Sequence, residues 1–135
     1  MAKKGFRGAE IVREIDEALD KGLARFLINT QSKLSAASPV LTGRLASSWF
    51  IGKGVPDRSV APEMPVGSEP TITKPDYKIT MDADHWISNS LPYAERAAFD
   101  PYNGRRGGGD WFTRIENNLT KDAEKAFDYF LRRVK

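Results

Sequence analysis

The chain has 135 residues, 40% of them hydrophobic and 29% charged, with a formal net charge of +3. One domain of that size buries a core, and the composition argues against wholesale disorder. No apolar run nears the roughly 20 residues of a membrane helix, no leader-like apolar stretch follows the basic start, and the absence of cysteine excludes disulfides, thiolate nucleophiles and zinc–cysteine sites. The expectation is a protein made in a reducing cytoplasm. A charge of +3 is too mild to declare a nucleic-acid binder without a clustered patch.

The first predicted element is a long helix over residues 8–36. Ile11, Ile15, Leu19, Leu23 and Phe26, flanked by Val12, Ala18, Leu27 and Leu34, recur at three- and four-residue steps and make one apolar face. Gly22 costs about 1 kcal/mol there against alanine, which points to a kink or a close packing contact. Ser38-Pro39 ends the helix, because proline disfavours helical dihedrals in the residue before it.

Thr42-Gly43-Arg44-Leu45 reads as a capped turn of helix, with the Thr42 hydroxyl accepting from a free backbone N–H. Residues 47–51 read as a strand with Trp49 and Ile51 on one face and Phe50 on the other. Residues 52–75 hold five prolines and three glycines, so they suit neither a central strand nor a helix. They are predicted to form an arm or extended hairpin reaching off the body. Asp76 to Met81 alternates as a strand, with Tyr77, Ile79 and Met81 on one face. Asp82-Ala83-Asp84 then turns the chain into a second strand, His85 to Leu91. Pro92 suits the first position of a short helix ending at Phe99. A glycine-rich loop with Arg105 and Arg106 leads to a last helix over residues 110–134, with Asp110 as N-cap and Phe112, Ile115, Leu119, Ala123, Ala126, Phe127 and Phe130 on its face. The order predicts an α+β fold: a small antiparallel sheet packed against long N- and C-terminal helices, with an extended Pro-rich arm.

Chemistry-bearing patterns are thin. Asp82, Asp84 and His85 lack the further ligands that a metal site needs and read as a turn followed by a strand-start histidine. No Gly-x-Ser-x-Gly elbow is present. Arg105-Arg106 among glycines offers guanidinium forks and exposed N–H groups for phosphate, or simply a solvated loop. With the basic ends of the chain it supports an alternative reading, a small basic nucleic-acid-binding module. Arg132 is placed to pair with Asp128 one turn away. Among the aromatics, Trp49, Trp86, Phe112, Phe127 and Phe130 read as core, while Trp111 and Tyr129 fall off the main face and suit a subunit interface.

Two segments carry a resemblance. Ser38-Pro39-Val40-Leu41-Thr42-Gly43-Arg44-Leu45-Ala46-Ser47-Ser48-Trp49, following a long amphipathic helix, resembles the S-P-V-x-T-G-x-L-x-x-S signature of phage neck and tail-completion proteins of lambda-like siphophage type. Ile87-Ser88-Asn89-Ser90-Leu91-Pro92-Tyr93-Ala94-Glu95-Arg96 resembles that family's I-x-N-x-x-x-Y-A segment. The resemblance implies a structural, non-catalytic subunit of the virion neck or tail, without cofactor or metal. It would form a homo-oligomeric ring between portal or head-completion proteins and the tail tube, with nonspecific contact to genomic DNA in the lumen. In this reading Thr42 caps, Gly43 permits close backbone approach, Leu45 packs inward, Arg44 is the exposed residue that reaches a partner, and Tyr93 anchors the short helix to the sheet. Trp49, Arg105 and Arg106 complete the set of motif and interface candidates. Deleting Pro56 to Pro70 is then expected to leave a folded monomer that no longer assembles, checked by circular dichroism and particle assembly.

Overall fold

A computed structural model describes residues 7–38, 43–99 and 111–134. Helix α1, Gly8–Ala37, is followed by the single turn α2, Arg44–Ser47, and strand β1, Trp49–Lys53. After a long irregular segment come strand β2, His85–Asn89, and the short helix α3, Ala94–Phe99. Helices α4, Trp111–Asn117, and α5, Leu119–Leu131, complete the order. The strands pair antiparallel with Ile51 opposite Ile87 and Trp49 opposite Asn89. The fold is therefore α+β, with a two-stranded sheet among helices.

Helix α1 is the axis of the molecule. Ser38 ends it with extended dihedrals (φ −60°, ψ 137°), the region a residue before proline favours. One side of α1 meets the sheet: Leu27 packs with Ile51 and Ile79, and Ile87 covers them. Farther along, Leu34 meets Trp49, Ala98 and Trp111. The Trp49 indole lies edge-on to Trp111 and stacks on Phe112 with centroids 6.4 and 6.1 Å away. Such aromatic pairs add roughly 0.5–1.5 kcal/mol each beyond the area they bury. Trp111 is 2% exposed, and its indole N–H donates to the Ala97 carbonyl at 3.1 Å, so it is a core residue rather than an interface one. Trp86 reverses the other way: it stands on the outer face of β2 and is 47% exposed.

Along another side α1 meets α5. The two run antiparallel, because Lys33 pairs with Asp122 whereas Gly22 faces Phe127. A methyl group on Gly22 would lie 2.6 Å from Phe127 Cδ1 and 3.0 Å from its Cα. The glycine thus lets the two backbones approach, which is the close-packing alternative raised by its helix-unfavourable placement.

Three elements differ from the sequence pattern. The last helix is two: at Asn118 the backbone N–H turns to the Ile115 carbonyl and the side-chain amide donates to the Arg114 carbonyl, which tightens the turn and closes α4. The stretch 76–81 is no strand, although Ile79 is buried and Tyr77 half-buried as the alternation implies. Side chains satisfy its backbone instead: Asp20 accepts from Met81 N–H at 2.8 Å, and His85 holds the Thr80 carbonyl at 2.7 Å. Residues 52–75 do not reach off the body; they are bonded along it. The expected Asp128–Arg132 pair is formed at 2.7 Å.

Replacing Gly22 by alanine gains helix propensity of about 1 kcal/mol but forces the α1–α5 contact apart at a cost of roughly 1–3 kcal/mol. We expect a net loss of stability in chemical denaturation for Gly22→Ala and a larger one for Gly22→Val.

Candidate interaction surface: the strap and its clamp

The residues of the first motif come together where α1, α2 and β1 meet the irregular segment 54–84, here called the strap. Gly43 takes the left-handed conformation (φ 90°), and a side chain there would lie 2.9 Å from the Ser68 carbonyl oxygen. Both constraints demand glycine. Thr42, just before it, lies outside the described residues, and so do Arg105 and Arg106.

Each polar residue after Gly43 binds the strap. The Arg44 guanidinium donates through Nε to the Ala61 carbonyl at 2.8 Å and lies 3.8 Å from Glu63. Ser48 Oγ donates to the Arg44 carbonyl at 2.6 Å and accepts from Ala61 N–H at 3.0 Å. Ser47 Oγ accepts from Thr71 N–H at 2.8 Å. Arg44 is thus a half-buried clamp within its own chain, not the outward-reaching residue expected from the motif. Its planar guanidinium, fixed by the Ala61 carbonyl and beside the Glu63 carboxylate, suits this role.

Gln31 of α1 completes the clamp. Its amide nitrogen donates to the Trp49 carbonyl and to the Thr73 carbonyl, both at 2.9 Å, so one side chain ties helix, strand and strap. The residue is fully buried, and its Oε1 has no hydrogen-bond partner. Close by, Trp49 Nε1 donates to Ser38 Oγ at 2.9 Å, and Ser38 Oγ donates to the Leu34 carbonyl at 2.6 Å. Sequence reasoning missed Gln31 because it sits among polar helix residues whose partners are 18 and 42 positions away.

The second motif joins the first. Asn89 Nδ2 donates to the Leu45 carbonyl at 2.9 Å, and Asn89 Oδ1 accepts from Leu91 N–H at 3.2 Å. Leu45 packs inward against Leu91 and Ala97, as expected. Tyr93, expected to anchor α3 to the sheet, is 42% exposed; Leu91, two residues earlier, is buried against Leu45 of α2 and Ala97 of α3.

At the far end of the strap, Tyr77 and His85 stack with centroids 5.7 Å apart, and the Tyr77 hydroxyl meets His85 Nδ1 at 3.0 Å. With Thr80 O holding Nε2, both imidazole nitrogens are engaged in folding the strap end. Burial raises the Tyr77 phenol above its ordinary range, and the Asp57 and Asp76 carboxylates push the same way. Among the described residues no group of three or more His, Asp or Glu side chains is placed to hold a metal ion. No helix among them is long and apolar enough to cross a membrane.

Gln31→Leu leaves the Trp49 and Thr73 carbonyls without a donor and is expected to cost about 2–3 kcal/mol. Gln31→Glu should cost more at neutral pH, because a buried carboxylate would face those carbonyls. The fold would hold the introduced acid protonated, so stability should return as pH falls toward the ordinary glutamate range near ~4. Urea denaturation at pH 7 and pH 4.5 checks both the order and the sign.

No family model, curated protein sequence or solved structure matches this chain.

Proposed function

We propose that the chain is a structural subunit of the tailed-phage head–tail interface, a neck, tail-completion or tail-terminator protein that assembles as a ring. In the virion such a ring joins the portal or head-completion complex to the tail tube. The observation that carries this reading is the meeting of the two segments that resemble that family: Asn89 of one is bonded to Leu45 of the other. Two stretches 40-odd positions apart thus serve one junction.

The chemistry favours construction over catalysis. Among the described motif residues, Arg44, Ser47, Ser48 and Ser88 are spent on backbone hydrogen bonds of the strap, and the histidine is committed to Tyr77 and Thr80. What the fold offers is surface. The first turns of α1 run past the end of α5 and carry Val12 and Ile15, which are 58% and 37% exposed. A heterologous contact covering them, repeated around a rotation axis, closes a ring.

In the purified protein we expect a concentration-dependent ring, measured by light scattering and seen in negative stain. Val12→Glu/Ile15→Glu should leave a folded monomer, with unchanged circular dichroism. A wild-type chain that stays monomeric at high concentration, and is absent from the neck density of its parent virion, would overturn the proposal.

A further inference from the structure

The seam between α1 and the α4–α5 pair has a character that neither the strap nor the exposed end of α1 shares. Two adjoining clefts follow it, with Lys33 and Asp122 on the wall of both. One is lined by Arg25, Lys125 and Tyr129, the other by Arg114. Arg133 extends the row, since its guanidinium lies 3.7 Å from the centroid of the Tyr129 ring. Arg25 lies 4.3 Å from the same centroid. Tyr129 therefore spaces two guanidinium groups and stiffens both through cation–π contact. The sequence pattern had set this tyrosine on a subunit interface.

The net charge along the seam is positive. The carboxylate lining it, Asp122, is bridged by Lys33 at 2.7 Å. Asp128, farther round α5, is bridged by Arg132 at 2.7 Å. Arg25 on α1, Arg114 on α4, Lys125 on α5 and Arg133 just past the end of α5 are exposed. From Asp122 to Leu131 the helix rises about 14 Å, which corresponds to roughly four nucleotides along one strand. Asn29 and Asn118 add neutral amide groups to the walls. Cations in a row, amides between them and an aromatic ring among them suit a phosphodiester backbone, held without reading its bases.

We propose that the α1–α5 seam is a nucleic-acid backbone site, with Arg25, Lys125 and Arg133 as its principal phosphate contacts. The inference does not rest on the ring reading, because each chain carries the whole seam.

The test uses the full chain and a fluorescein-labelled 20-base-pair duplex in anisotropy titrations between 50 and 200 mM salt. About four phosphate contacts give a slope of log Kobs against log salt near −3 to −4. Arg25→Gln/Lys125→Gln/Arg133→Gln should weaken binding at least tenfold at 50 mM salt and shrink the slope by 2 to 3. Lys125→Gln alone, at an exposed position, should weaken it by a few-fold with thermal unfolding unchanged, which separates binding from folding. Arg58→Gln/Lys74→Gln/Lys78→Gln removes the same charge from the strap and should stay within about twofold of wild type. Equal losses in the two triple variants would overturn the site in favour of diffuse charge. No binding by wild type at 50 mM salt, or displacement of the duplex by polyglutamate as effective as by unlabelled duplex, would also overturn it. Each of these outcomes can occur whether or not the chain forms rings, so the two proposals fail separately.

Discussion

A buried side-chain amide ties helix α1, strand β1 and the strap of this fold together. Among the described residues the sheet has two strands, too few to be stable alone, and an irregular strap of some thirty residues lies beside it. Gln31 reaches from the C-terminal third of α1 to the carbonyls of Trp49 and Thr73, so the helix that supplies the apolar core also supplies the donors. In a low-dielectric interior such bonds are strong when made and costly when lost. Placing that amide fixes where β1 and the strap lie relative to α1.

The rest follows from the same economy of backbone partners. A strap rich in proline has few N–H groups to pair, and proline lowers the entropy lost when the segment is ordered. Three of its remaining groups, the Ala61 carbonyl and the Thr71 and Ala61 N–H groups, are met one at a time by Arg44, Ser47 and Ser48, all within five residues of one another. A short stretch beginning at a left-handed glycine can do this because its single helical turn points successive side chains at the strap. The motif is thus a fastening between two parts of one chain. Interface properties, on the ring reading, belong to surfaces that the fastening leaves uncovered.

Helix α1 divides those surfaces. Its central and C-terminal parts are committed to the sheet and to α5, with the Gly22 contact setting how near α5 lies. Its first turns carry exposed aliphatic side chains, and the seam beside α5 carries cations around Tyr129. The apolar end suits a protein partner and the basic seam a polyanion. One helix can serve both because they occupy different stretches of its length.

Hydrophobic periodicity by itself determined α1, the two paired strands, the short helix and the helical C-terminal region, since each apolar face must be buried somewhere. It also determined that Trp49, Ile51 and Ile79 point inward, while the need for glycine at position 43 came from its left-handed backbone and the nearby Ser68 carbonyl. Only the tertiary structure decided which backbone groups find partners far away in sequence. That is why the stretch around Ile79 kept its inward side chain yet formed no strand, why Asn118 split the last helix, and why the strap lies along the body. It is also why Arg44 proved to be a clamp, Tyr93 an exposed residue and Trp111 a core one. Local spacing fixes which way a side chain faces; what waits there depends on how distant segments pack.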